Sequence, residues 1–171
     1  MSDWCQAPIA TPLGPLVLVE DADGRLRAAD WADAPDRLAH WLARRYRGRR
    51  PHRVDAAALS SAAPLADYFA GNLARVADIP LALDGTPLQR AVWELLTTLT
   101  PGTTLTYGAL AAQLGRPRAA RAVGAANAAN PCAVVVPCHR LVGADGSLTG
   151  YAGGLARKRW LLAHEQARRP A

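Results

Sequence analysis

The chain has 171 residues, half of them hydrophobic, with 20 Lys or Arg against 14 Asp or Glu and a net charge of +6. That much apolar material excludes a disordered tail and suffices for one core or two small ones. No apolar run reaches the roughly 18 residues of a membrane span, and the start Met1-Ser2-Asp3-Trp4-Cys5 lacks the basic-then-apolar layout of a secretion signal, so a cytoplasmic protein is expected.

Leu16-Val17-Leu18-Val19 predicts a strand, Asp21-Ala22-Asp23-Gly24 a turn, and Arg25 to Trp31 a returning strand, together a hairpin. Leu38, Trp41, Leu42 and Tyr46 recur at helical spacing between Pro35 and Arg47. A shorter helix is expected from Ala63 to Phe69 before the Gly71-Asn72 stop. Arg49, Arg50 and Arg53 are taken as a solvated surface run. The connection from Leu81 to Gly85 marks a boundary, giving a mixed α/β first domain at 1–84 and a second domain at 85–171. Charge divides unequally between them. The first carries 10 Lys or Arg against 11 Asp or Glu, a net −1; the second carries 10 against 3, a net +7. Such a concentration of positive charge makes nucleic acid the natural partner of the second half.

That half is helical in rhythm. Thr86 caps a helix whose first position is Pro87, and Leu88, Val92, Leu95, Leu96 and Leu99 form its apolar stripe until Pro101-Gly102. Thr106 caps a second short helix through Tyr107, Leu110 and Leu114, closed by Gly115; after Arg116-Pro117 a third runs from about Arg118 to Asn127. Two short helices around a tight glycine-containing turn predict a helix-turn-helix, with the strand and hairpin that follow as its wing. The third helix carries Ala119, Ala120, Ala122, Gly124, Ala125, Ala126 and Ala128. Side chains this small suit either close approach to DNA or tight helix packing.

Next comes Val134-Val135-Val136-Pro137-Cys138-His139-Arg140, an apolar strand expected to end at a half-sheltered thiol. The imidazole and guanidinium beside Cys138 supply positive potential, which favours the nucleophilic thiolate. A Cys-His pair alone is more simply a small buried hydrophobe whose neighbour faces the other way. Two further motifs shift that balance. Asn130-Pro131 lies eight residues upstream, and the glycine-rich Thr149-Gly150-Tyr151-Ala152-Gly153-Gly154 downstream leaves room for a flat ligand. On the last helix, Leu161 and Leu162 place Glu165 on a face that should be buried, so its carboxylate needs a partner. Lys158, the sole lysine, stands one helical turn before Leu162 and two before Glu165, a spacing that points toward the pocket, but between Arg157 and Arg159 it is read as solvated. Cys5, Cys132 and Cys138 lack paired spacing, so reduced thiols without disulfide or structural metal are expected, with Cys132 a packing residue.

From Thr86 to Glu165 the chain resembles the O6-alkylguanine-DNA alkyltransferases, also called methylated-DNA-protein-cysteine methyltransferases, in their bacterial constitutive form. Pro137-Cys138-His139-Arg140, Asn130-Pro131, the run from Arg118 to Gly124 and the loop from Tyr151 to Gly154 fall in that family's order and spacing. Ile9 to Leu16 and Tyr68 to Gly71 extend the resemblance over nearly the whole chain. It implies an α+β fold: a small amino-terminal mixed α/β, ribonuclease H-like domain, then a helical carboxy-terminal domain with a winged helix-turn-helix.

The resemblance also implies the chemistry. Cys138 would take the alkyl group from O6 of guanine irreversibly, once per molecule, with no cofactor and no metal. His139 is the implied base, acting through a water; Glu165 is its partner, and Asn130 orients His139 or the active-site turn. Tyr107 would donate to N3 of the leaving guanine, and Tyr151, Ala152, Gly153 and Val136 would wall the pocket. Because the target atom is unreachable inside a duplex, the nucleotide must flip. Arg121 would fill the gap, with Ala120 and Ala122 at the minor groove and Arg116, Arg118 and Arg140 as phosphate or structural contacts. Ala133 and Ala152 stand where other members carry proline and serine, implying a roomier pocket that extends to larger alkyl groups and O4-alkylthymine. The expected partner is double-stranded DNA carrying O6-alkylguanine, bound by a monomer, with cooperativity along DNA left open and no membrane involved. A lesion-recognition module without a nucleophile is the main rival, against which Cys138 itself argues.

Overall fold

The computed structural model describes residues 4–168. Met1–Asp3, part of the stretch read for a leader, and residues 169–171 lie outside the described residues. The chain divides into two compact units: one runs to Asp84 and includes Pro131–Val135, and the other comprises Gly85–Asn130 and the chain from Val136 onward.

In the first unit, β1 (Cys5–Ile9), β2 (Leu16–Glu20), β3 (Leu26–Trp31) and β4 (His52–Arg53) form a sheet in the order β3-β2-β1-β4. β2 pairs antiparallel with both β1 and β3, whereas β4 runs parallel to β1. The expected hairpin is β2–β3. Its turn is held by Asp21, whose Oδ1 accepts from the amides of Asp23 and Arg25 at 3.0 Å. α1 (Pro35–Arg45) lays Leu38, Trp41 and Leu42 on a cluster made with Trp4, Val19, Ala28 and Tyr46. α2 (Ala62–Ala70) stops at Gly71, whose φ of 115° lies in the left-handed region that glycine enters without strain. β1 was not anticipated, because Pro8 interrupts a five-residue segment with only Ala7 and Ile9 buried.

In the second unit, α3 (Pro87–Thr97) begins with a full capping box: Thr86 Oγ1 accepts from Gln89 N, and Gln89 Oε1 accepts from Thr86 N. Its buried face includes Trp93, whose Nε1 donates to Ala126 O at 2.9 Å. That bond ties α3 to α5 (Ala120–Ala128). α4 (Tyr107–Gln113) is capped by Thr106, which accepts from Ala109 N, and packs on α5 after a turn through Gly115. β5 (Leu105–Thr106) and β6 (Leu141–Val142) pair in parallel, and α6 (Leu155–Gln166) closes the unit. The small-sided helix divides by face, and its buried side bears out the packing reading. Val123, Ala126 and Asn127 are buried, while Arg121, Ala122, Ala125 and Ala128 are exposed.

The valine run corrects an expectation. Val134, Val135 and Val136 are buried, but they form no strand. Cys132 makes a single bridge to Ala29, where Ala29 N donates to Pro131 O and Ala133 N donates to Ala29 O, both at 2.8 Å. Val134 then adopts a φ of 72°, and Cys138–Arg140 is one turn of 3-10 helix. Pro131 and Pro137 lack the amide donors that a ladder needs, so the window between them is too short to pair further.

Candidate active site

Cys138 opens that 3-10 turn and is 8% exposed, so the thiol is buried rather than half sheltered. A tight turn, unlike a strand, presents consecutive residues to one neighbourhood, and His139 and Arg140 are buried with it. Two asparagines hold the backbone here. Asn130 Nδ2 donates to Val136 O at 2.9 Å, and Asn127, buried on α5, approaches Cys138 O through Nδ2 at 3.5 Å. Asn130 is thus bonded to the backbone two residues before the thiol. Cys138 N donates to Val136 O at 2.7 Å, closing the approach to the turn.

α6 presents Lys158, Leu161 and Glu165 inward at a spacing of three and four residues, all fully buried. The buried carboxylate has the partner its position demands: His139 Nε2 lies 2.8 Å from Glu165 Oε1. Sequence reasoning missed the rest of its shell. Arg140 donates through Nε to Oε2 and through Nη2 to Oε1, each at 2.9 Å, and Gly102 N donates to Oε2 at 2.9 Å. Arg140 Nη1 continues to Leu99 O. Arg140 is thus a buried structural contact, not a phosphate contact. Burial alone would push the Glu165 carboxyl up; the hydrogen bonds and charges of His139 and Arg140 overcome it and hold the group far below the usual carboxylate range. Burial likewise drives His139 below the ordinary imidazole value, with Arg140 and Lys158 adding to the fall and Glu165 opposing it. The site therefore holds an ionised Glu165 and a neutral His139 at pH 7. Nε2 carries the ring proton toward the carboxylate, which leaves Nδ1 as the acceptor. Nδ1 is buried without a hydrogen-bond partner among the described residues.

Lys158 overturns its solvated reading. Its ammonium donates to Leu141 O at 2.5 Å, Thr149 O at 2.7 Å and Gly150 O at 3.4 Å. It pins the start of the glycine-rich loop to the chain just after Arg140. Burial lowers its pKa, and the charge of Cys138 acts in the opposite direction. Its spacing, three residues before Leu161 and seven before Glu165, was the signal that the flanking arginines outweighed.

The remaining residues fall into two groups. Tyr107, at the first turn of α4, is half-buried and faces Gly124 of α5, where an added Cβ would stand 3.7 Å from the ring. Tyr151 and Gly153 are half-buried, Ala152 is exposed and Val136 is fully buried. Arg116, Arg118 and Arg121 are exposed beside Ala122, with Ala120 half-buried, and none of the three arginines has an ion pair among the described residues. Ala133 is half-buried, its amide committed to Ala29. Among the described residues no group of three or more His, Cys, Asp or Glu side chains is placed to hold a metal ion, and no disulfide joins the cysteines. No helix there is long and apolar enough to cross a membrane.

Comparison with known proteins gives concordant matches. The family model described as 6-O-methylguanine DNA methyltransferase, DNA binding domain, matches residues 87–167. The methylated-DNA–protein-cysteine methyltransferase of Salmonella typhimurium is 55% identical over 158 residues, 92% of each chain. Among solved structures, the Mycobacterium tuberculosis O6-methylguanine methyltransferase matches with a TM-score of 0.81 and 40% identity, covering 98% of this chain and 96% of its own. A structure of Mycobacterium tuberculosis OGT in complex with DNA matches with a TM-score of 0.76 and 38% identity, covering 98% and 95%.

Proposed function

Because this chain belongs to the methylated-DNA–protein-cysteine methyltransferase family, we propose that it repairs DNA by moving the alkyl group from O6 of guanine onto the sulfur of its own Cys138. The observation that carries the assignment of the site is the buried Glu165–His139 pair, 2.8 Å apart, with His139 next to Cys138 on one turn. His139 Nδ1 accepts the thiol proton through a water. The thiolate attacks the alkyl carbon, a C–S bond forms, and the C–O6 bond breaks with its electron pair leaving on the guanine. Tyr107 donates to N3 as that charge develops, and the displaced base takes up a proton to become neutral guanine. The thioether persists, so each molecule acts once.

Asn130 supports the turn, while Tyr151, Ala152, Gly153 and Val136 wall the base pocket. Small side chains at Ala133 and Ala152 favour larger alkyl groups and O4-alkylthymine as further substrates. α4 and α5, joined through Gly115, act as a helix-turn-helix in the domain at 85–171. The turn after β6, where Gly143 N donates to Ser147 O, supports its wing. Arg121 fills the gap left by the flipped nucleotide, Ala120 and Ala122 admit the minor groove, and Arg116 and Arg118 hold phosphates. The domain at 1–84 takes the ribonuclease H-like part. The protein works as a cytoplasmic monomer on double-stranded DNA.

Intact mass after mixing with a duplex containing one O6-methylguanine tests the assignment. One added methyl, mapped to Cys138 and absent from Cys138→Ser, is expected. Tight lesion binding without a mass gain would move the reading to a recognition module.

A further inference from the structure

We propose that Arg140 is a positioning residue for the transfer: it serves as the permanent countercharge of Glu165 and thereby keeps His139 neutral, with Nε2 the donor and Nδ1 the base. The inference rests on the reading of His139 as the base. It starts from the complete occupation of one carboxylate. Glu165 Oε1 accepts from His139 Nε2 and Arg140 Nη2, and Oε2 accepts from Arg140 Nε and Gly102 N, at 2.8 to 2.9 Å. A carboxylate offers about four lone-pair positions, so this one has none to spare. The planar guanidinium takes two of them in a fork that a lysine would not reproduce, and its third nitrogen is anchored to Leu99 O.

Charge counting then decides the state of the imidazole. Glu165 and Arg140 are 0% and 3% exposed and already neutralise one another. Protonating His139, also fully buried, would leave that trio with an excess positive charge. The other charged group bearing on His139 is Lys158, which is of the same sign, and Cys138 sits beside it in the chain. Remove the guanidinium, and the balance reverses. Glu165 would then favour an imidazolium as its countercharge, and an imidazolium has no lone pair left to accept the thiol proton. An arginine one residue from the base therefore sets the pH range in which that base works.

Two readouts test this. In protein carrying ring-labelled histidine, with the His139 signal assigned against His139→Gln, nitrogen NMR between about pH 5.5 and 8.5 spans the ordinary imidazole value. The wild-type His139 is expected to stay neutral and Nε2-protonated down to about pH 6. Arg140→Gln should raise its titration midpoint by a unit or more. Single-turnover transfer from an O6-methylguanine duplex should accordingly fall about twofold or more near pH 6.5, fall further on acidification and recover at alkaline pH. Arg140→Lys, which keeps the charge, should restore the acid limb even if its rate plateau is lower. A purely structural role would reduce the folded or reactive fraction and leave the midpoint alone. An imidazolium in the wild type at pH 7, or an unchanged midpoint in folded Arg140→Gln, overturns the proposal. Should Arg140→Gln fail to fold, the wild-type tautomer and the Arg140→Lys midpoint decide it. Absence of methyl transfer in the wild type would strike the functional reading instead, because the imidazole titration does not depend on activity.

Discussion

Glu165 shows how one side chain can tie stability and chemistry together. Its carboxyl is held below its ordinary value, so the unfolded chain binds the proton first as pH falls. The stabilisation is fully present above about pH 4.5, the ordinary value, and is lost as the solution is acidified below it. His139 is lowered as well, which removes stability as pH falls through the ordinary imidazole value near about 6.5. Urea unfolding of the wild type should therefore weaken from mildly acidic pH and more steeply below about 4.5. Glu165→Gln leaves Arg140 buried without its anion, and a loss of about 3–5 kcal/mol at pH 7 is expected. The variant should also lose the steep acid component. A variant as stable as wild type at pH 7 would mean that the carboxylate is not the anchor of this shell. The need of Glu165 for a partner was legible from the leucines sharing its face. Arg140 and Lys158 were not, because a long cationic side chain beside other basic residues is usually solvated, and only the carbonyls and carboxylate brought in from elsewhere make burial affordable.

At the scale of elements, caps and stops were the most legible features. Thr86, Thr106 and Gly71 act through bonds or dihedrals within a few residues, so their sequence signatures are nearly complete descriptions. The valine run misled for the converse reason: apolarity correctly predicted burial, but a strand needs a partner, and the sequence does not display one. Packing between α3 and α5 offers a direct test. A Cβ at Gly85 would fall 2.6 Å from Cζ3 of Trp93, a buried ring already held by its bond to Ala126. Gly85→Ala should cost about 1–3 kcal/mol, measured by urea unfolding, because a rigid indole must move. An unchanged midpoint would mean that the ring is not confined.

For the whole molecule, the electrostatic division matters most. A net +7 on residues 85–171 against −1 on 1–84 directs a polyanion to the half that carries Cys138. Duplex affinity should fall roughly tenfold or more between about 50 and 200 mM salt as counterions are no longer released as favourably. Arg121→Ala should slow reaction with a lesion in duplex roughly tenfold or more while sparing free O6-alkylguanine, since only the duplex needs a base unstacked. Equal losses with both substrates would remove the gap-filling role.

The sequence alone determined the charge division, the capped helices, the cysteine with its neighbouring imidazole and the family resemblance, because each is a property of residues near one another in the chain. Tertiary structure decided that Cys138 lies on a buried turn rather than a strand end, that Arg140 and Lys158 are interior cations, and that Pro131–Val135 joins the first unit. These outcomes depend on which distant carbonyl, carboxylate or strand each group meets. A buried charge or an unpaired strand takes its energy from that partner, and the partner is chosen only when the chain folds.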